Sequence, residues 1–306
     1  MPQKSFYKRG ARHCERPKGA KQSPWSEEIA SSSRFARLLA MTCCFLFLAI
    51  IISGCGSSFH FSKSKVLKAG AFGDTGSIAG SHAFRVGEKL TYEVRWMGVP
   101  VGLAYFNVKE IANVNGSDCY HIIVTVKSNA FLSKIYRVED EFHTYIDKEK
   151  LYSQRFIKKQ AEGRYRSHEI VNYDHGQRKA VYKSLRNDSV KEFDIKEGTQ
   201  DDLSAIYYFR IQDIDLSKKI IMDVNADEKN WALEIRILGR GFMNISRIGK
   251  VEAIEVEPIA TRVDGKKMQK GRLWLWFSAD EARLPLAAKA RAPIAGTVTA
   301  ILVGIE

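Results

Sequence analysis

From Lys89 to Trp96 the chain reads Lys-Leu-Thr-Tyr-Glu-Val-Arg-Trp, with an apolar residue at every second position. Successive side chains of an extended strand point to opposite faces, so Leu90, Tyr92, Val94 and Trp96 share one face while Lys89, Thr91, Glu93 and Arg95 share the other. The same period of two recurs through most of the chain beyond it, in short aromatic and β-branched segments bounded by Gly, Asn and Asp. Residues 89–96, 103–111 and 120–127 form a meander, and further strands are expected at 133–147, 151–159, 164–174, 179–185, 219–224, 230–238, 249–261, 271–278, 284–291 and 296–303. The expected fold class is all-β, mainly antiparallel: a single curved sheet or partly open barrel-like meander with one short helix. That helix starts at Thr199-Gln200-Asp201-Asp202, where acids suit an N-terminus, and continues from Leu203 to Arg210. Leu203, Ile206, Tyr207 and Arg210 share a face, which is expected to pack over an open end or edge of the sheet.

The N-terminal third has a different character. An apolar run over 38–52 ends in Ile52-Ser53-Gly54-Cys55 and is followed by Gly56-Ser57-Ser58. At about 15 residues it is too short to span a bilayer comfortably, and Arg34 and Arg37 precede it, as in a secretory signal. Small residues before the cysteine let the peptide lie extended in a signal peptidase, and the Cys55 thiol is the group that accepts diacylglycerol. The reading is a lipoprotein signal, with Cys55 lipidated and first in the mature chain. Residues 1–37 then form a basic leader expected to be disordered, 38–54 the signal, 55–83 a Ser-, Gly- and Lys-rich tether, and 84–306 the β-rich body. Gly56 stands where Asp would favour inner-membrane retention, so the expected location is the outer membrane, facing the periplasm.

Charge and cysteine usage agree with export. The net charge is +13; residues 1–54 hold nine Lys/Arg and three acids, a net of +6, which leaves +7 on the mature chain. A basic surface favours anionic partners such as phospholipid head groups or acidic glycans, and nucleic acid is not expected in that compartment. Of the five cysteines, Cys14, Cys43 and Cys44 precede the cleavage site and Cys55 is acylated, leaving Cys119 alone as a buried small apolar residue.

Signatures of catalysis are absent: no His-Glu-x-x-His, no Cys-x-x-Cys, no glycine-rich phosphate loop and no Gly-x-Ser-x-Gly elbow. No cofactor or metal is expected. His121, His143 and His168 stand singly on three strands, and only convergence in space would make them zinc ligands. In Glu139-Asp140-Glu141, alternation puts Asp140 on the inner face, where it needs a partner such as Arg137 or another arginine. The aromatic pair Trp274-x-Trp276 shares a strand face. With Leu90, Tyr92, Val94 and Trp96 it makes a candidate lining for a lipid or glycan site.

Four segments resemble the domain-of-unknown-function 3108 family of exported bacterial proteins. They are Phe84-Arg85-Val86-Gly87-Glu88-Lys89-Leu90-Thr91-Tyr92-Glu93-Val94-Arg95-Trp96 with Val99-Pro100-Val101-Gly102; Lys127-Ser128 with Ile135-Tyr136-Arg137-Val138-Glu139-Asp140; Asp202-Leu203-Ser204-Ala205-Ile206-Tyr207-Tyr208-Phe209-Arg210; and Leu273-Trp274-Leu275-Trp276-Phe277-Ser278 leading to Arg283-Leu284-Pro285. The resemblance implies export and a β-rich body, with no established activity and no catalytic or ligand residues. The expected function is a lipid-anchored, non-enzymatic envelope protein that binds an amphiphilic or acidic component. Two alternatives remain open: a scaffold using the sheet edge or the Leu203/Ile206/Tyr207 face, and a hydrolase in which Asp140, Asp202 or Glu139 meets a second titratable group in a cleft.

Overall fold

The computed structural model describes residues 62–63, 83–215, 219–246, 248–264, 271–292 and 296–306. The basic leader, the signal segment, Cys55 and most of the tether lie outside these residues. The body is one antiparallel sheet of fifteen strands. In chain order they are β1 (Ser62–Lys63), β2 (Lys89–Trp96), β3 (Val99–Val114), β4 (Ser117–Ser128), β5 (Glu139–Asp147), β6 (Ser153–Glu162), β7 (Tyr165–Asp174), β8 (Lys179–Ser184), β9 (Val190–Asp194), β10 (Ile220–Ala226), β11 (Lys229–Ile245), β12 (Gly249–Arg262), β13 (Arg272–Ser278), β14 (Pro285–Ala292) and β15 (Gly296–Ile305). Two helices interrupt them, α1 (Ala130–Ser133) and α2 (Ser204–Arg210). No helix among the described residues is long and apolar enough to cross a membrane.

The strand order is β1-β11-β12-β13-β14-β15-β2-β3-β4-β5-β6-β7-β8-β9, with β10 also paired to β11. The C-terminal hairpins therefore join the meander through β15 against β2, where Ala300 lies opposite Val94. The two extremes of this order then meet. Beyond β9, Gln200 pairs in parallel with Val224 of β10 through two backbone bonds. Side chains complete the seam: Asn230 Nδ2 donates to the Asp194 carbonyl, Lys191 pairs with Glu228, and Lys196 Nζ lies 2.8 Å from Asp223. The result is a barrel-like sheet that no continuous ladder closes.

Hairpin turns divide the barrel into two ends. At the rim lie the connections β2–β3, β4–β5, β6–β7, β8–β9 and β10–β11, with the last residues of β12 and β14; at the base lie β3–β4, β5–β6, β7–β8 and β13–β14, with the last residues of β11. Alternation sets what faces inward. On β5, Asp140, Phe142, Thr144 and Ile146 are buried, while Glu139, Glu141, His143 and Tyr145 keep solvent contact.

Three elements depart from the sequence expectation. Residues 133–138 are not strand but the end of α1 and a loop, and Ile135 there is 79% exposed. β9 forms an edge with almost no buried residue, so it has no apolar face for the pattern to reveal. β11 continues past Leu238 to Ile245 through a bulge between Ile237 and Gly239.

The helix α2 does not lie over an edge. Six of its seven residues, Ser204, Ala205, Ile206, Tyr207, Phe209 and Arg210, are buried, and it runs inside the sheet across the base. There the Arg210 guanidinium bonds both Glu88 oxygens at 2.6 and 2.8 Å and donates to the carbonyls of Ala83 and Ala282. Phe84 and Tyr207 lie beneath it, with ring centroids 5.6 and 5.5 Å away. An arginine is buried here because four of its five N–H donors gain an acceptor and a carboxylate balances its charge.

Candidate functional site

The N-terminus of α2 is anchored to the base ends of β5 and β6 and organises the interior. Asp201 Oδ1 accepts from the Leu203 and Ser204 amides at 2.7 and 2.8 Å, which caps the helix, and Oδ2 accepts from the hydroxyls of Thr144 on β5 and Ser153 on β6. Burial pushes the Asp201 pKa up against these four donors, which favour the ionised form.

Asp202 does something different. It borders two cavities of about 30 and 20 Å³, in company with Leu275 and Phe277, and Leu203 adds to the larger. Tyr92, Phe106, Val124 and Phe142 complete most of the larger wall. Burial raises the Asp202 pKa well above the ordinary carboxylate range; the Asp227 charge adds to this and Lys158 opposes it. The chamber thus has one half-buried acid, its pKa raised, at the end of an apolar wall. Pockets that enclose whole small molecules measure several hundred Å³, so this one is nearly filled.

Of the six lining candidates from the sequence, Tyr92 alone borders the chamber, its hydroxyl donating to the Pro285 carbonyl at 2.7 Å. Leu90 and Val94 are buried in the core, and Trp96 is half-buried at the rim end of β2. On β13 the opposite phase faces the chamber: Leu275 and Phe277 line it, and neither Trp274 nor Trp276 does. Trp274 stacks with cations instead, Arg272 lying 4.5 Å and Lys289 6.0 Å from its ring. Trp276 is buried elsewhere in the core. Since Leu273-Trp274-Leu275-Trp276-Phe277 is apolar in both phases, alternation could not decide which side faces inward.

Towards the rim the inner face becomes polar. Lys158 Nζ of β6 lies between Glu169 of β7 at 3.0 Å and Asp227 of the β10–β11 turn at 3.1 Å. Asp140 does not meet Arg137, which pairs outside with Glu139 at 2.7 Å. It accepts instead from the Ala161 amide at 2.9 Å and bonds Glu162, whose pKa burial and the Asp140 charge push up to about 10.

On the outer wall His121 and His143 do meet, Nε2 to Nδ1 at 2.9 Å, flanked by Glu110 and Glu141 at 3.1 Å each. His168 is not joined to this chain of bonds. Among the described residues no group of three or more His, Cys, Asp or Glu is arranged to hold a metal ion. The Cys119 thiol is buried and its pKa is raised to about 12, first by desolvation, which leaves no reactive thiolate at neutral pH.

The family model described as "Protein of unknown function (DUF3108)" matches residues 91–303. The chain belongs to the DUF3108 family. No curated protein matches the sequence. Two solved structures resemble this DUF3108 chain. One is a β-barrel-like protein of domain of unknown function DUF1849 from Brucella abortus, 10% identical with a TM-score of 0.49, covering 72% of this chain and 97% of the other. The second is a protein of YmcC-like fold from Bacteroides fragilis, 9% identical with a TM-score of 0.29, covering 72% and 96%. At these scores neither carries an argument about the DUF3108 chain.

Proposed function

We propose that this DUF3108 chain is a lipid-anchored protein of the cell envelope, outer-membrane attached through Cys55 and facing the periplasm, that binds an amphiphilic envelope component without catalysing a reaction. The observation that supports the reading is the apolar chamber at the N-terminus of α2, bordered by the single acid Asp202. A protonated carboxyl in an apolar wall donates and accepts hydrogen bonds without the desolvation penalty of a charge, which suits the polar end of an otherwise apolar ligand. The chamber of about 30 Å³ does not admit an acyl chain as it stands. Entry requires α2 or the seam beside β10 to move, and the seam is the weaker of the two, since it holds two backbone bonds and exposed side-chain pairs.

Native mass spectrometry of the mature chain, residues 55–306 carrying Cys55→Ser and exported to a Gram-negative periplasm, with lipid extraction, tests this. A stoichiometric added mass that disappears in Ala288→Leu, which narrows the chamber wall, supports the carrier. A clean mass that survives incubation with envelope extract overturns it. The near-filled interior favours a structural role as second reading, although the Leu203, Ile206 and Tyr207 face is buried and so is not the interface of such a scaffold. The hydrolase alternative would use Asp140, which is buried beside Glu162, or the half-buried Asp202.

A further inference from the structure

Three neighbouring rim connections, β2–β3, β4–β5 and β6–β7, make one continuous surface. The Asn129 amide donates to the Val101 carbonyl and Asn129 Nδ2 to the Pro100 carbonyl, both at 2.8 Å, which ties the second connection to the first. The Gly163 amide donates to the Arg137 carbonyl at 2.8 Å, which ties it to the third. Gly163 has φ +52°, and a Cβ there would stand 2.6 Å from the Tyr136 ring, so the loop is seated directly on the turn. Asn129 Oδ1 also accepts from the Leu132 amide at 2.9 Å, capping α1 and fixing its short turn.

This braced surface presents large apolar side chains to water: Met97 at 58%, Val99 at 52%, Phe131 at 65%, Ile135 at 79% and Tyr165 at 40% exposure. Exposed apolar groups held in a cluster mark an interaction site, because each forgoes burial that the fold does not supply. The same segments carry exposed Lys127, Lys134, Arg137, Arg164 and Arg166 against one exposed acid, Glu139, which is spent on Arg137.

We infer that this patch is a docking surface for an anionic lipid bilayer. Protein–protein interfaces deplete charge at their centre, whereas four unneutralised basic side chains on the segments that carry the apolar tips match a surface with phosphates outside and hydrocarbon beneath. The apolar tips reach the acyl boundary, the basic side chains remain at head-group depth with their stems along the apolar surface, and Tyr165 is suited to the interface between them. The inference is independent of whether the interior chamber holds a ligand.

The test uses the mature chain, residues 55–306 carrying Cys55→Ser, so that neither the signal run, the basic leader nor an acyl chain contributes, sedimented with vesicles of phosphatidylcholine with and without phosphatidylglycerol. Binding is expected only to the anionic vesicles, weakening as salt is raised. Phe131→Asp with Ile135→Asp lowers the affinity about tenfold or more. Val86→Asp, at an exposed apolar position near the base, leaves it unchanged; all these side chains are exposed, so each variant keeps the parent melting temperature within a few degrees. Equal binding to both vesicle types, or an unchanged affinity in the rim variant, overturns the inference. So does a dimer formed without lipid that Ile135→Asp dissolves, which makes the patch a contact between copies of the chain.

Discussion

Asp140 and Glu162 meet inside the barrel as a buried carboxyl pair, each with its pKa raised by burial. Asp140 Oδ1 accepts from the Ala161 amide and Glu162 Oε1 from Gln160 Nε2, while Asp140 Oδ2 and Glu162 Oε2 have no other partner. A proton on Glu162 shared with Asp140 satisfies both remaining oxygens, and two charges so close in a dry interior would repel. Glu162 is raised from 4.5 to about 10, so the folded state retains a proton that the unfolded chain gives up. The stabilisation is complete below about pH 4.5, where both states are protonated, and is lost as pH rises towards 10. Glu162→Gln supplies the hydrogen permanently and is expected to flatten the fall in melting temperature between pH 6 and 9, about 2–4 °C gained per kcal/mol. Thermal scans across that range check it; a variant with the parent's slope would refute the shared proton.

The Arg210–Glu88 pair is predicted to be among the costliest contacts to break. Arg210→Met leaves the Glu88 carboxylate, whose side chain is 11% exposed, without its two charged bonds and frees the carbonyls of Ala83 and Ala282. The expected loss is about 3–5 kcal/mol by denaturant unfolding. Arg210→Met combined with Glu88→Gln should recover part of it, because the second change removes the stranded charge.

Replacing Asp201 separates capping from burial. Asp201→Ala removes the acceptor for two helix amides and for the Thr144 and Ser153 hydroxyls, an expected cost of about 2–4 kcal/mol. Asp201→Asn keeps an oxygen for the amides and should cost about 1 kcal/mol, the hydroxyls reversing their bonds. Hydrogen exchange at the Leu203 and Ser204 amides reads the difference, fast in the alanine variant and near the parent rate in the asparagine variant.

Gly102 lets β3 pass close against β4. A Cβ on it would stand 2.3 Å from the Lys127 carbonyl oxygen, a backbone atom that moves only if the strands part. Gly102→Ala is expected to cost about 2 kcal/mol or more and to speed amide exchange along the neighbouring ladder. Unchanged exchange there would show that the strands yield without strain.

How much of this was legible in the sequence varied with the kind of pattern each element carried. β2 could be read because its wet face bears Lys89, Glu93 and Arg95 and its dry face none. Residues 133–138 misled because Ile135 and Tyr136 fall in opposite phases, and the exposed one looks as apolar as the covered one. α2 showed its face and its acidic start, yet the charge on that face, Arg210, gave no sign of a partner 122 residues away. Asp140 was correctly placed inward, but its partner was sought among arginines. A second acid answers the same need once a proton is shared, and composition cannot show that. The chamber was located only through Tyr92, for its other walls come from strands whose register no single segment specifies.

The seam gives the barrel a clasp. Everywhere else round the ring, widening the molecule by one strand spacing would break a full ladder of backbone bonds. At the clasp it would cost the two bonds of Gln200, the Asn230–Asp194 contact, the inner Lys158–Asp227 pair, the Tyr173 bond to the Asn225 carbonyl and two partly exposed ion pairs. The girth of the protein is therefore set by a handful of side chains at one meridian, and salt, which loosens such pairs and spares ladders, becomes a handle on its diameter.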